Sequence, residues 1–221
     1  MNKKSIILLS GGLDSLVSLG VGIDEYNIKL ALTFDYGQNP LAQEVLASKK
    51  IADYYNIEHK VIELPFLKEI THNAFVGRSA DLPTENLGTK ESAKAVWVPN
   101  RNALFLNIAG AFADAQGYTH IFLGANKSEG QTFPDNTVEF VERINSMFKY
   151  STSNGVEVVA PLINYTKNDI VKKALELKIP LELAYSCYAG GDKNCGLCES
   201  CKHLKNALEN NKAYEYIERL F

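Results

Sequence analysis

Short apolar runs alternate along the chain with longer stretches whose apolar positions recur every three or four residues. The first pattern predicts buried strands and the second amphipathic helices. Strands are expected at 5–9, 28–34, 58–64, 119–124 and 156–159, and helices at 15–24, 41–55, 102–116, 138–150 and 167–177. Between Pro65 and Val98 the pattern weakens, with Gly77, Pro83 and Gly88 among many polar residues. Residues 71–92 are therefore expected to form a long functional loop or lid. Strands alternating with helices of this length predict an α/β fold. It should have a parallel sheet of about five strands, helices on both faces and right-handed crossovers. The whole chain, 1–221, reads as a single domain that carries a C-terminal lobe over 180–221.

Ligands in such folds sit beyond the carboxyl ends of the strands, where the strand order reverses. Three polar segments follow predicted strands directly: 10–15, 35–38 and 124–136. In the first, Gly11 and Gly12 let the backbone turn tightly and present N–H groups. Ser10 and Ser15 add hydroxyls, and the next helix aims its positive end at the same point. Together they predict an anion cradle sized for a pyrophosphate. Asp14 would repel a phosphate, so its expected role is to hold Mg²⁺ or to orient the loop. Arg101 is expected at a helix start, where a cation opposes the dipole, so a docking anion explains it better. Lys167, opening another helix, could balance phosphate charge.

Composition narrows the partners. The 221 residues are 46% apolar and 22% charged, as in a globular domain with a real core. A net charge of −3 gives no bulk basic field, so no nucleic-acid partner is expected. No apolar run approaches the ~20 residues of a membrane helix. Behind Lys3 and Lys4 only Ile6-Ile7-Leu8-Leu9 follows, which is short for a signal peptide. A cytoplasmic protein without a membrane partner is expected.

All four cysteines fall near the C-terminus: Cys187, Cys195, Cys198 and Cys201. Clustering of this kind points to metal or catalysis rather than a disulfide scaffold. Two C-x2-C steps and a Gly-Gly-Asp-Lys-Asn loop can close four thiolates around one structural zinc. An iron–sulfur cluster and a catalytic thiol are the other two chemistries open to this spacing.

The string Ser10-Gly11-Gly12-Leu13-Asp14-Ser15 resembles the signature of the PP-loop ATP pyrophosphatases. These enzymes split ATP between the α- and β-phosphates on a HUP-type, Rossmann-like sheet. Further blocks, 32–38, 98–102, 133–136 and 186–188, together with the cysteines, resemble the 7-cyano-7-deazaguanine synthase family over about 5–201. Two places depart from that pattern. Asn39-Pro40-Leu41-Ala42 replaces a basic stretch, and Tyr185 stands where a tryptophan is frequent.

The resemblance implies a ligase acting on ATP, 7-carboxy-7-deazaguanine and ammonia, with Mg²⁺ accompanying ATP and zinc in the lobe. It implies adenylation of the acid, an amide intermediate, and AMP and pyrophosphate as products; a homodimer is compatible with it. The implied nucleotide contacts are Leu9, Ser10, Gly11, Gly12, Leu13, Asp14, Ser15, Leu16, Val17, Ser18, Leu19, Phe34, Asp35 and Lys167. Tyr36, Gln38, Arg101, Asn102, Phe133 and Asp135 are implied at the substrate, with Asp14, Ser15 and Arg101 catalytic. The rival reading from the same loop is another PP-loop enzyme, such as a tRNA sulfurtransferase.

Overall fold

After its first residue, β1 (Lys4–Leu8) is buried throughout, because it lies at the centre of a sheet covered on both faces. The computed structural model describes residues 4–77 and 81–221. β1 is followed by α1 (Leu13–Gly22), β2 (Asn27–Asp35), α2 (Leu41–Tyr54) and β3 (Glu58–Glu63). Then come α3 (Pro65–Ile70), α4 (Lys90–Val96), α5 (Arg101–Gln116), β4 (His120–Phe122) and the single turn α6 (Lys127–Gly130). The chain finishes with α7 (Val138–Ser151), β5 (Glu157–Val159), α8 (Lys167–Glu176), α9 (Glu199–Asn210) and α10 (Tyr214–Leu220).

The five strands are parallel in the order β3-β2-β1-β4-β5. The order reverses at β1, so a crevice opens beyond the ends of β1 and β4, where such sheets bind ligands. Alternation along β1 feeds two cores. Ile7 and Leu9 pack with α1, α8, α9 and α10, whereas Ile6 and Leu8 pack with α5 and α7. In β2 the register slips by one residue at the exposed Lys29, between Ile28 and Leu30. That bulge turns Ile28 and Leu30 to opposite cores.

The helices carry local signals that agree with their boundaries. Thr166 and Asp169 form a reciprocal capping box at the start of α8, and Thr137 caps α7. Gly117, left-handed at φ 68°, closes α5. Leu204, Ala207, Leu208 and Leu220 of α9 and α10 join the same core as α1. α9 and α10 are thereby packed onto the sheet through that core.

The described residues of 71–92 form the long loop expected of them up to Thr89, but the loop is docked rather than open. α4 begins inside this segment, started by a capping box between Thr89 and Ser92. Ala74, Phe75 and Val76 are buried, and their backbone bonds to Asn39 and Ala95. Three buried apolar residues and a short capped helix dock a sequence too polar and too brief to show a helical period. Residues 78–80 of the expected lid lie outside the described residues.

Candidate active site

The loop between β1 and α1 is shaped by contacts that exclude side chains. Gly11 has φ +82°, and a Cβ there would stand 2.8 Å from the Glu44 carbonyl oxygen. Gly12 begins α1 with no side-chain cap, although its own N–H donates to Ser10 Oγ at 3.3 Å. Ser15 Oγ lies 3.2 Å from Ser10 Oγ and donates to the Gly12 carbonyl at 3.0 Å. From the far end of the chain, Ser186 Oγ accepts from the Leu13 N–H at 3.4 Å. Opposite, a Cβ on Gly124 would lie 3.0 Å from the Ser15 nitrogen, so the segment after β4 presses on the helix start. The helix start, of whose first-turn N–H groups Ser186 meets only that of Leu13, together with two hydroxyls and the helix dipole makes this an anion seat.

Beside it lies a group of three charges. Lys167 Nζ pairs with Asp14 Oδ2 and, at 2.7 Å, with Glu129 Oε1. The side chains are 12%, 19% and 31% exposed for Lys167, Asp14 and Glu129, so the group is desolvated but reachable from the cleft. Burial raises Asp14 to about 6 against the pull of Lys167, and the Glu129 charge adds to the rise. Burial also pushes Glu129 upward, but Lys167 outweighs it and holds that carboxyl below its ordinary value. Asp14 Oδ1 is buried with no partner. An unpaired carboxylate oxygen next to a second carboxylate fits a hard cation such as Mg²⁺.

The rest of the cleft is aromatic around one cation. Arg101 opens α5 behind Asn100, which is left-handed at φ 55°. Its Nη1 donates to Tyr36 Oη at 3.1 Å, and its guanidinium lies 5.8 Å from the Tyr36 ring centre and 5.9 Å from that of Phe75. No carboxylate among the described residues pairs with it directly. Burial works against its charge, but the fields of Tyr36 and Asp135 outweigh burial and keep it cationic. Phe34 stacks on Phe105 at 4.0 Å, and Phe133 also lines the cleft. A desolvated guanidinium framed by rings is a receptor for a planar anion.

Leu9, Ser10, Gly12, Leu13, Asp14, Ser15, Phe34, Tyr36, Arg101, Asn102 and Phe133 all line this one cleft. Gly11 shapes the loop from behind, and Lys167 reaches the cleft only through its two carboxylates. Leu16, Val17 and Leu19 are instead sealed in the core, and Ser18 is buried with an unpartnered hydroxyl. The side chains of these four expected nucleotide contacts therefore do not line the cleft, because the helix turns them towards the core. Asp35 accepts from the Gly37 N–H, and Asp135 from Asn136, which lines the cleft in its place. Gln38 is buried and does not face the cleft; it bonds Glu44, which does. Glu44, Glu129, Ser186 and Tyr188 are lining residues that sequence reasoning did not select as site residues. Glu129 lies inside the polar segment 124–136, the only signal that could have found it.

In the lobe, the sulfurs of Cys187, Cys195, Cys198 and Cys201 all lie within 4.8 Å of one another, and no disulfide joins them. Cys195 and Cys201 Sγ are 3.8 Å apart. Four sulfurs at the ordinary Zn–S length of 2.3 Å would be separated by about 3.8 Å in a tetrahedron. Backbone N–H groups of Ala189, Leu197 and Cys198 point at Cys187 and Cys195 sulfurs, as thiolates require. The cluster can hold a metal ion. It is tied to the anion seat, since Tyr185 N–H donates to the Gly11 carbonyl and Ser186 precedes Cys187.

Comparison with known proteins places these features in a family. The profile described as Queuosine biosynthesis protein QueC matches residues 4–212. The 7-cyano-7-deazaguanine synthase of Carboxydothermus hydrogenoformans is 48% identical over 214 residues, covering 95% of this chain and all of the relative. That of Methanosarcina barkeri is 45% identical, covering 94% of each chain. Among solved structures, NMN synthetase from Francisella tularensis has the same fold. It aligns with a TM-score of 0.52 and 17% identity, over 99% of this chain and 82% of that one. A match spanning the nucleotide loop, the Arg101 chamber and the four cysteines leaves one conclusion: this chain belongs to the QueC family of queuosine biosynthesis proteins.

Proposed function

We propose that the protein is an ATP-dependent carbon–nitrogen ligase that converts 7-carboxy-7-deazaguanine and ammonia into 7-cyano-7-deazaguanine. The observation that carries this reading is that the anion seat of α1 and the guanidinium of Arg101 face one cleft. One suits a polyphosphate and the other the carboxylate of a flat acid, held between Tyr36, Phe75 and Phe133. A carboxylate resists attack by an amine, so it must first be turned into a better electrophile. Its oxygen attacks the α-phosphorus of ATP, pyrophosphate departs along the loop of Ser10–Ser15, and an acyl adenylate forms. Ammonia displaces AMP to give the amide. A second ATP adenylates the amide oxygen, and loss of AMP leaves the nitrile.

In this scheme the chain positions and neutralises charge. The first-turn N–H groups and the Ser10 and Ser15 hydroxyls receive phosphate oxygens, with Lys167 as the nearby cation. Asp14, with its unpartnered Oδ1, and Glu129 would hold Mg²⁺, which supplies charge neutralisation at the phosphates. The cysteine set is best suited to zinc as a structural ion, because all four thiolates fill the shell and no open position remains. Reduced thiolates of this kind agree with a cytoplasmic setting.

The test is turnover by purified protein with ATP, Mg²⁺, ammonium and 7-carboxy-7-deazaguanine, read by mass spectrometry. The reading expects the nitrile, with two AMP and two pyrophosphate for each. ADP and phosphate as products would assign the chain to acyl-phosphate chemistry instead.

A further inference from the structure

Forming the amide requires a proton acceptor close to the acyl carbon, because ammonia reaches a neutral site mainly as ammonium, which has no lone pair. The titratable side chains lining the cleft narrow to one. Asp14 and Glu129 are committed to Lys167, and Arg101 is a fixed cation. Burial lifts the phenols of Tyr36, Tyr185 and Tyr188 well above their ordinary values. That leaves Glu44, in the first turn of α2.

Its placement is built rather than incidental. The α2 turn is pressed on the nucleotide loop where Gly11 meets the Glu44 carbonyl. Gln38 Nε2 donates to Glu44 Oε2 at 2.8 Å and to the Phe34 carbonyl at 2.9 Å, and Gln38 Oε1 accepts from the Tyr36 N–H at 3.0 Å. Three bonds thus lock Gln38, and Gln38 holds one oxygen of Glu44. No donor among the described residues reaches the other, Oε1. The charged and titratable groups acting on Glu44 are Arg101 from α5 and Tyr36 from the end of β2; neither forms an ion pair with it.

We propose that Glu44 is the proton acceptor of the ammonia step and that Gln38 is its positioning residue. The inference rests on the ligase reading above. Ammonium docks on the Glu44 carboxylate and gives it a proton, and the freed ammonia attacks the acyl carbon. The carbon–oxygen bond to AMP breaks, AMP leaves with that electron pair, and the second proton on nitrogen passes to water. Burial raises the Glu44 carboxyl to about 7, against the opposing pull of Gln38 and Arg101. A base of that strength is poised for proton transfer at neutral pH.

The test separates activation from amide formation. Acid-dependent exchange of labelled pyrophosphate into ATP reports adenylation alone, and it also reports a folded, nucleotide-competent site. Glu44→Gln should keep that exchange within a few-fold of wild type while amide formation with ammonium falls about 100-fold or more, the usual share of a general base. Hydroxylamine, largely unprotonated at neutral pH, should restore most of the rate as hydroxamate. Loss of exchange in step with amide formation would overturn the inference, assigning Glu44 to binding the acid, and so would an unchanged ammonium rate or an equal loss with hydroxylamine. Should Glu44→Gln fail to fold, Gln38→Met must slow amide formation more than exchange, and equal slowing contradicts the proposal. Absence of acid-dependent exchange in the wild-type protein would instead remove the ligase reading itself.

Discussion

Asp14 and Glu44 are carboxyls raised towards neutrality by the same cause, burial, yet their neighbours give them different work. Asp14 has Lys167 against it, and Lys167 keeps a second partner in Glu129. Asp14→Ala should therefore cost only about 1–2 kcal/mol of stability, because the lysine is not stranded. Pyrophosphate release should nevertheless nearly vanish; paired measurements of melting temperature and turnover would show whether the two separate. Glu44 has no ion-pair partner, and burial outweighs Gln38 and Arg101, so its effect on stability has a definite sign. Its folded carboxyl titrates near 7 against an ordinary 4.5, so its favourable contribution is complete below 4.5 and lost as pH rises through 7. Glu44→Gln should then be more stable than wild type at pH 8, by about 3 kcal/mol at most, and melt higher, with the two converging near pH 4. A melting series across that range that shows no convergence would contradict the buried-carboxyl account. Residues of the loop motif were legible in the sequence because backbone turn, hydroxyls and helix start are all local. Glu44 and Glu129 were not, since a carboxylate acquires its role only when other segments bury it. That Leu16, Val17 and Leu19 face the core was not legible for the complementary reason: proximity in sequence to the loop says nothing of which way a helix turns a side chain.

At the scale of elements, the strands were legible because a central parallel strand is apolar on both faces, as 6–9 and, apart from the buried Thr33, 30–34 are. α3 and α4 were missed because six or seven residues are too few for a period of 3.6 to emerge. α4 needs the buried Ala93 and Val96 on one side and its Thr89 cap at the start. What makes the elements into a site is the closeness of β4 to α1. Gly124→Ala would place a methyl 3.0 Å from the Ser15 nitrogen and 3.1 Å from the Asp14 carbonyl carbon, both backbone atoms that cannot swing aside. The expected cost is about 1–3 kcal/mol, with a displaced helix start. A rise in the apparent KM for ATP should accompany the lower melting temperature, and normal ATP kinetics would show that this contact does not set the seat.

Over the whole molecule, the cysteine cluster and the nucleotide loop form one connected structure through Tyr185, Ser186 and Cys187. The protein should carry about one zinc per chain and be colourless, whereas an iron–sulfur cluster would colour it brown. Cys198→Ser should lose metal, melting temperature and turnover together, because the thiolates hold the lobe that braces the loop. A Cys198→Ser protein of unchanged stability that had lost turnover would point to a thiol nucleophile. The central claim concerns where the two oxygens of the acid go. With both carboxylate oxygens of 7-carboxy-7-deazaguanine labelled as ¹⁸O, each adenylation should carry one oxygen into AMP. Mass spectrometry should then find a nitrile free of ¹⁸O and two AMP molecules per turnover, each bearing a single ¹⁸O. Label in inorganic phosphate or water, with AMP unlabelled, would contradict the account.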